Sequence, residues 1–336
     1  MEGGSSLPFS KEVEVGRIRM GSDSGRTICV PVITPRPPVA VFTPVTIADK
    51  SLITRYLRYF PENEGSECQF SNMLLWSLSD HIEWSVVNDA LLLRTRTRND
   101  TACMMMVFTQ PERLCEGLEL AVESMQERGE EFRMCSLPEW YVRRMDACSP
   151  GRFAYTREPH HDDYVYEASA LISLSGKALH AKRNHVNKFR STYGGRYQYE
   201  AYHPSFFAEC MDAYNRWLDE RGESPELCAE RGSVECALRY ADQLALKGGM
   251  IRVDGVVEAF TLGERITADM ALIHVEKANL DMPGLFAAIN QMFLENAFPD
   301  AIWVNREEDM GLEGLRKAKR SYHPTRMIDK YGATLA

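Results

Sequence analysis

One order of predicted elements occurs twice along this chain, and that repetition constrains its fold more than any other feature. In the first half, a hairpin about Asn88-Asp89 leads into a buried strand and then into a helix that begins at Pro111. In the second half, a hairpin about Asp254-Gly255 leads into a strand and a helix that begins at Pro283. Such residue pairs suit the positive φ angles of two-residue hairpin turns, and proline suits the first turn of a helix. The pattern predicts an α/β (α+β) protein with two similar units in tandem.

The repetition divides the chain into three segments. Residues 1–42 precede the repeated units, and their prolines oppose a central strand or helix, so we predict an N-terminal extension that is a hairpin or disordered. Residues 43–167 form the first predicted unit and residues 168–336 the second. No apolar run reaches the roughly 18 residues of a membrane span, and the first residues lack a signal-peptide pattern. We therefore expect a cytoplasmic protein without a transmembrane segment.

The cysteines and charges exclude some classes of protein and some binding partners. The nine cysteines include no Cys-x-x-Cys pair, which argues against a zinc ribbon and against a disulfide framework. The formal net charge of −9 disfavours indiscriminate binding of nucleic acid. Residues 176–199 nevertheless contain six Lys or Arg side chains and no acid, and a helix is predicted over 177–193. A local basic strip on an acidic protein indicates a specific anionic partner.

The segment 301–324 places more charge beside a core strand than solubility requires. The apolar run 301–304 leads through Asn305 and Arg306 into three consecutive acids, Glu307 to Asp309. A helix that opens with glycines follows, and it carries four cations in five positions up to Arg320. Loops that follow strands are where α/β proteins concentrate their chemistry. We predict that this loop and helix carry the functional site.

Two of these stretches resemble motifs of the phosphatidylglycerol lysyltransferase C-terminal-domain family. They are residues 182–189, Lys-Arg-Asn-His-Val-Asn-Lys-Phe, and the run from Asn305 to Lys319. Phe70-Ser71-Asn72 and Trp76 also resemble family positions. The resemblance covers residues 43–335 and implies two tandem GNAT-like (acetyltransferase-like) domains, the second with the active site. Better-known relatives move an amino acid from aminoacyl-tRNA to a membrane lipid. The sequence shows no transmembrane flippase part, so a hydroxyl or amine on a lipid, peptide or small molecule is the expected acceptor, and peripheral membrane contact stays open.

Candidate substrate-binding residues follow from charge and backbone freedom. Cations at helical spacing can contact the phosphates of an RNA 3′ end, an amide can bond a base or sugar, and glycines at a helix start let an anion approach the backbone. The acids can hold the α-ammonium group of an aminoacyl ester. The predicted substrate-binding set is Lys182, Arg183, Asn187, Asn305, Arg306, Glu307, Gly311, Gly314 and Arg316.

Four residues are predicted to act on the reacting atoms. Lys319 would stabilise the oxyanion that develops when the ester carbonyl is attacked. Glu308 and Asp309 would recognise the amino group, or one of them would act as base. Tyr322 would donate a proton to the leaving 3′-oxygen. No metal or cofactor is predicted beside the aminoacyl-tRNA donor.

Several alternatives stay open at this level. The acids 307–309 could form a structural network with Arg306, Arg316 and Lys319. Acetyl-CoA could be the donor, although the segment 276–284 lacks the usual CoA signature, and a non-catalytic RNA- or anion-binding module would also fit. His274 is more typical of a satisfied core histidine, and His160-His161-Asp162-Asp163 of an exposed loop, than of a catalytic or metal site.

Overall fold

A computed structural model describes residues 15–18, 28–31, 40–96, 101–221 and 225–336. The chain divides into two compact units, Met1–Val39 and Ala40–Ala336. In the first unit, β1 (Val15–Ile18) and β2 (Ile28–Pro31) pair as an antiparallel hairpin, which is one of the two structures predicted for the extension. The rest of that predicted extension up to residue 39 lies outside the described residues. No helix in the described part of the chain is long and apolar enough to cross a membrane.

The second unit contains two mixed sheets of seven strands each. The first sheet has the order β3-β4-β5-β6-β7-β16-β8. Its strands are β3 (Thr43–Pro44), β4 (Glu83–Val87), β5 (Ala90–Arg96), β6 (Ala102–Met104), β7 (Arg133–Pro138), β8 (Phe153–Arg157) and β16 (Lys330–Leu335). Its helices are α1 (Lys50–Leu57), α2 (Phe70–Trp76), α3 (Leu114–Glu127) and α4 (Glu139–Cys148).

The second sheet repeats this arrangement with the order β10-β11-β12-β13-β14-β9-β15. Its strands are β9 (Asp163–Glu167), β10 (Tyr197–Ala201), β11 (Lys247–Val253), β12 (Val256–Arg265), β13 (Met270–Ala278), β14 (Trp303–Asn305) and β15 (Arg326–Ile328). The accompanying helices are α5 (Ala168–Ser173), α6 (His180–Tyr193), α7 (Phe207–Arg221), α8 (Pro225–Arg239), α9 (Ala241–Leu244), α10 (Leu285–Ala297) and α11 (Glu313–Arg320).

The two sheets share one plan, which confirms the predicted tandem GNAT-like fold. Each has a single parallel pair at its centre, β6 with β7 in the first and β13 with β14 in the second. The halves also exchange strands: β9 lies between β14 and β15 of the second sheet, and the last strand, β16, lies between β7 and β8 of the first. The sheets therefore do not divide at the predicted boundary of residues 167 and 168. Each half contributes to the other's sheet the strand next to one edge, so neither sheet is complete without the other half.

The parallel pair of the second sheet opens beside the predicted site. Strands β13 and β14 pair only between Met270–Leu272 and Trp303–Asn305, after which β14 ends while β13 continues to Ala278. The register of β12 with β13 shifts at the same place, because Leu262 faces Val275 whereas Gly263 faces Ile273. His274 is thus the extra residue of a β-bulge. Bulges redirect side chains beside functional sites, and here the redirected side chain lies next to the opening.

The cysteine prediction is wrong for one pair. Cys115 in α3 and Cys148 at the end of α4 form a disulfide bond with their Cα atoms 5.5 Å apart. The two residues are separated by 33 positions and meet only because α3 and α4 pack together. Spacing along the sequence therefore gave no sign of the bond.

Candidate functional site

The loop that follows β14 is held by one buried lysine. The Lys319 side chain, from the last turn of α11, donates hydrogen bonds to the backbone carbonyl oxygens of Arg306, Glu307 and Glu308. Lys319 is 8% exposed, and burial lowers its pKa. An ammonium group has three hydrogens, and all three are used on the loop. The predicted oxyanion donor is therefore a clamp for the loop backbone in this structure.

The clamp stabilises a backbone that would otherwise be strained. Glu307 and Met310 both adopt positive φ angles, 56° and 53°, which non-glycine residues rarely do. Asn305, fully buried at the end of β14, accepts a hydrogen bond from the Glu307 N–H at 2.7 Å through its side-chain oxygen. Its amide donates to Asp163 on β9 at 2.8 Å. Asn305 is thus a positioning residue in the core of the loop, rather than a group exposed to substrate.

Glu307 takes part in a polar bridge that joins the two halves. Its Oε1 lies 2.8 Å from His274 Nδ1, and His274 Nε2 lies 3.1 Å from Glu264 Oε1 on β12. From α2 of the first half, the Asn72 amide donates to Glu307 at 3.2 Å, and the Ser71 hydroxyl donates to Glu264. The Oε2 atoms of the two glutamates have no hydrogen-bond partner among the described residues, and the two side chains are 18% and 13% exposed. Each glutamate thus keeps one carboxylate oxygen that the described residues do not use.

The charge of His274 decides how this bridge can act. Burial lowers the pKa of His274, but the hydrogen bonds and charges of Glu264 and Glu307 outweigh burial and raise that pKa to about 9. The Ser71 hydroxyl lies 3.2 Å from His274 Nε2, so the geometry is that of a Ser-His-Glu triad. A protonated imidazole cannot accept the serine proton, however. At neutral pH His274 is a fixed cation that orients two carboxylates, and Ser71 is not an activated nucleophile.

A second carboxylate cluster includes Glu308 of the loop. Oxygens of Glu67, Asp163 and Glu308 lie within 4.8 Å of one another, a spacing that could ligate one metal ion. The fully buried Lys330 ammonium bonds Glu67 and lies 3.3 Å from Asp163, so a protein cation already serves this cluster. Burial and neighbouring carboxylates raise the pKa of Glu308 to about 8. Glu308 is therefore largely protonated at neutral pH and is poorly suited to hold a substrate ammonium group.

Asp309 and Arg316 bind each other instead of substrate. Arg316 Nε donates to Asp309 Oδ2 at 2.8 Å and its Nη2 donates to Oδ1 at 3.0 Å. Asp309 is 1% exposed and also accepts from the Tyr164 hydroxyl at 2.7 Å and the Gly311 N–H at 2.9 Å. Burial alone would raise the pKa of Asp309, but these donors lower it. Asp309 and Arg316 thus form part of a structural network, which was the alternative to a substrate-binding role in the sequence analysis.

Lys182, Arg306 and Tyr322 form a third polar group. The Lys182 ammonium lies 4.0 Å from the centre of the Tyr322 ring, and the Arg306 guanidinium lies 4.7 Å from the same ring. Arg306 Nη2 donates to Glu276 on β13 at 2.8 Å. Tyr322 is 7% exposed within the core of the second half, and burial raises its pKa to about 12. The structure therefore brings three of the predicted residues together, and both cations lie against the ring of Tyr322.

The other predicted residues occupy varied positions. Arg183 donates to the backbone carbonyl oxygens of Leu174 and Gly176, at 2.6 Å and 3.3 Å, and so fastens the connection from α5 to α6. Asn187 is exposed. Gly311 has a φ of 74°, whereas a Cβ at Gly314, in the first turn of α11, would contact nothing within 4 Å. The backbone conformation therefore favours glycine at position 311, whereas position 314 has room for a side chain.

Sequence reasoning missed several members of the site. Ser71, Asn72, Glu264 and Glu276 are distant from the loop in sequence and become neighbours only through the fold. Ser71 and Asn72 lie in a stretch that resembles the family, which was their one sequence signal. His274 is a buried histidine with both ring nitrogens bonded, as expected, but its partners belong to the site.

Comparison with known proteins supports the tandem fold. A crystal structure of a conserved protein of unknown function from Bacteroides thetaiotaomicron is 32% identical with a TM-score of 0.79, and the match covers 89% of this chain and 100% of that one. The C-terminal domain of a putative lysylphosphatidylglycerol synthetase from Agrobacterium fabrum shares the fold at 14% identity and a TM-score of 0.58, covering 86% of this chain and 92% of that one.

A curated sequence relative and a family match complete the comparison. An uncharacterized protein of Mycoplasmoides gallisepticum is 24% identical over 182 residues, which are 50% of this chain and 54% of that protein, so the match spans about half of the relative's length. The family described as "Phosphatidylglycerol lysyltransferase, C-terminal" matches residues 59–334. Family and fold place the chain among the acyl- and aminoacyltransferases. The chain belongs to the phosphatidylglycerol lysyltransferase C-terminal family.

Proposed function

We propose that this protein transfers an amino acid from aminoacyl-tRNA to a hydroxyl or amine acceptor on a lipid, peptide or small molecule. The observation that carries the proposal is the Glu264–His274–Glu307 bridge, in which each glutamate keeps one oxygen without a hydrogen-bond partner among the described residues. An aminoacyl ester carries an α-ammonium group next to the reacting carbonyl, whereas an acetyl thioester carries none. A pair of oriented carboxylates beside the gap in the sheet suits the first donor and offers nothing to the second.

The start of α10 also favours a donor other than acyl-CoA. Gly284, just before α10, has a φ of 88°, and a Cβ there would lie 2.0 Å from the carbonyl oxygen of His185 in α6. The backbone of α6 therefore covers the beginning of α10. This is the loop region where the CoA signature of an acetyltransferase-like domain is expected, and its residues lack that signature.

Exposed cations can hold the RNA end. Arg183 and Arg316 are engaged within the protein, but Lys188 on α6 and Lys317 and Arg320 on α11 are exposed. Lys182, from the first turn of α6, contacts Tyr322, which follows α11, so this contact links the two basic helices. Phosphate contacts from such residues position a nucleic acid without reading its sequence. The tRNA would thus present its 3′ ester to the carboxylates from the basic side.

The transfer itself can proceed by direct attack on the ester. The acceptor oxygen or nitrogen attacks the carbonyl carbon, the bond to the ribose 3′-oxygen breaks, and the amino acid leaves on the acceptor. Glu264 and Glu307 would hold the ammonium group, while His274, Ser71 and Asn72 fix the two carboxylates. Correct placement of the reacting groups supplies a large part of such a rate enhancement.

The proposal is tested by a transfer assay. The protein is incubated with radiolabelled aminoacyl-tRNAs and a cell extract that is afterwards separated into lipid and aqueous fractions, and a parallel reaction contains labelled acetyl-CoA. We expect label to leave tRNA for an extractable product, with at least a tenfold loss of rate in Glu307→Gln. Glu313→Gln, a change at an exposed glutamate of α11, is the matched control. Label that leaves acetyl-CoA alone would overturn the proposal.

A further inference from the structure

We propose that the ε-amine of Lys182 is the general base of the transfer, which accepts the proton of the acceptor and returns it to the leaving 3′-oxygen. The inference rests on the proposed function and deepens it. Its basis is the placement of Lys182 Nζ, 4.0 Å from the centre of the Tyr322 ring and beside Arg306, with no carboxylate in ion-pair distance among the described residues.

Other lysines of the interior are satisfied in ways that Lys182 is not. Lys319 bonds three carbonyl oxygens, Lys330 bonds Glu67, and Lys277 donates to Glu230 at 2.6 Å. Lys182 is half-buried against the face of Tyr322, and no hydrogen bond or ion pair of its ammonium group is found among the described residues. A lysine that is kept partly dry, without an anion and next to another cation, is the arrangement in which an amine loses its proton most readily.

The charged and titratable groups around Lys182 point the same way. Arg306 follows β14, Glu276 lies on β13, Tyr322 follows α11, and Tyr166 lies on β9. Burial raises the pKa of both tyrosines, so they stay neutral, and Glu276 is bonded to Arg306 at 2.8 Å. Burial first and the charge of Arg306 second lower the pKa of Lys182 to about 8, against the opposing effect of Glu276. A substantial fraction of the amine is therefore neutral near physiological pH.

Two further groups show that polar capacity beside Lys182 is unused. Asn290 on α10 is 1% exposed and donates to Glu276 at 2.8 Å, and its side-chain oxygen is buried without a partner in the described part of the chain. Arg306 Nη1 is likewise buried without one. Native proteins leave few buried polar atoms unsatisfied. Asn290 and Arg306 both hydrogen-bond Glu276, and each keeps one polar atom without a partner. An acceptor and a donor in this position suit a ligand that hydrogen-bonds both.

Every proton and bond in the proposed step is accounted for. The acceptor O–H or N–H bond breaks as its oxygen or nitrogen bonds the ester carbonyl carbon, and the proton passes to the neutral Lys182 amine. The carbon–oxygen bond to the ribose then breaks, and the Lys182 ammonium returns the proton to the 3′-oxygen. No oxidant, reductant or further reactant is needed, and the amine is regenerated neutral for the next turnover.

The first test measures the amine without any need for activity. The folded protein is acetylated with traces of acetic anhydride between pH 6 and 11, and modification of Lys182 and of Lys188 is measured by mass spectrometry. Lys188 lies on the same helix and is exposed. We expect half-maximal reactivity of Lys182 near pH 8, well below that of Lys188. Coincident profiles for the two lysines would overturn the proposal even if the protein transfers amino acids.

The second test separates a base from an anion holder. Lys182→Arg keeps the positive charge but cannot deprotonate near pH 8, so we expect kcat to fall at least 100-fold with KM for aminoacyl-tRNA within threefold. Lys182→Met should lose as much kcat, and Lys50→Arg, a change at the start of α1, should alter neither constant. Full activity of Lys182→Arg would show that Lys182 binds a phosphate group instead. Absence of transfer by the unaltered protein from every aminoacyl-tRNA would overturn the proposed function, and this inference with it.

Discussion

Replacement of Lys319 by methionine separates the two roles that this lysine could have. Methionine keeps the length and the apolar stem but removes the ammonium group, and the carbonyl oxygens of Arg306, Glu307 and Glu308 then lose the donor they share. If Lys319 is the clamp of the loop, the variant should lose stability as well as activity. If it served only to stabilise an oxyanion, activity alone should fall.

The expected loss of stability can be worked out from these three hydrogen bonds. A buried acceptor left without a donor costs about 1–3 kcal/mol. The low end applies here because the loop can partly rehydrate and because removal of a buried ammonium relieves a desolvation cost, so about 3 kcal/mol in total is expected. For a folded unit of this size, 1 kcal/mol shifts Tm by roughly 2–4 °C, so Tm should fall by about 6–12 °C.

The assay is thermal and urea unfolding of the variant beside Lys317→Met, which changes an exposed lysine of the same helix. The control should melt within about 1–2 °C of the unaltered protein, as expected for a surface change. A Lys319→Met protein that melts like the control and yet fails to transfer would refute the clamp and restore the oxyanion role.

Three further predictions concern the site and its supports. His274→Gln should destabilise the protein by about 3 kcal/mol below pH 6.5, because the pKa of His274 is raised from 6.5 to about 9, and the difference from the unaltered protein in urea unfolding should vanish as the pH rises through 9; a difference that is constant with pH would contradict the bridge. Asp309→Asn should lower the free energy of unfolding by about 2 kcal/mol at pH 7, because it weakens the paired bonds to Arg316; unchanged urea unfolding would speak against a structural pair. Gly284→Ala should cost at least about 2 kcal/mol through clash and positive φ, whereas Gly314→Ala should not destabilise; equal melting of the two variants would mean that α6 does not press on α10.

Much of the fold followed from local sequence signals. The turns at Asn88-Asp89 and Asp254-Gly255 have the positive φ angles that their residues predicted, and the repeated order of elements gave the tandem architecture. The exchange of β9 and β16 did not follow, because strand partners distant along the chain leave no periodic trace. Nor did the passage from β15 to β16, where the chain crosses between the two sheets within one residue, Asp329.

The loop after β14 stays the predicted site, and packing changes the roles that its residues were assigned from the sequence. Charge density in the sequence pointed to residues 305–319, and that loop does contact β13 and α2, while Arg306 and Lys182 of α6 both lie against the Tyr322 ring. Sequence alone could not say which charges neutralise each other. Asp309 pairs with Arg316, Lys319 holds backbone carbonyl oxygens, and Glu308 gains a proton. Glu307, together with Glu264, is therefore the acid that we propose binds the substrate.

The most direct test of the account compares two donors that differ only at the amino group. Aminoacyl-tRNA and its N-acetylated form, which lacks the α-ammonium charge, are given to the protein with an acceptor fraction, and the initial rates of label transfer are measured. Recognition by Glu264 and Glu307 predicts at least a 100-fold preference for the free aminoacyl ester, and Glu307→Gln should reduce that preference. Equal rates with the two donors would contradict the central claim that these carboxylates recognise the ammonium group.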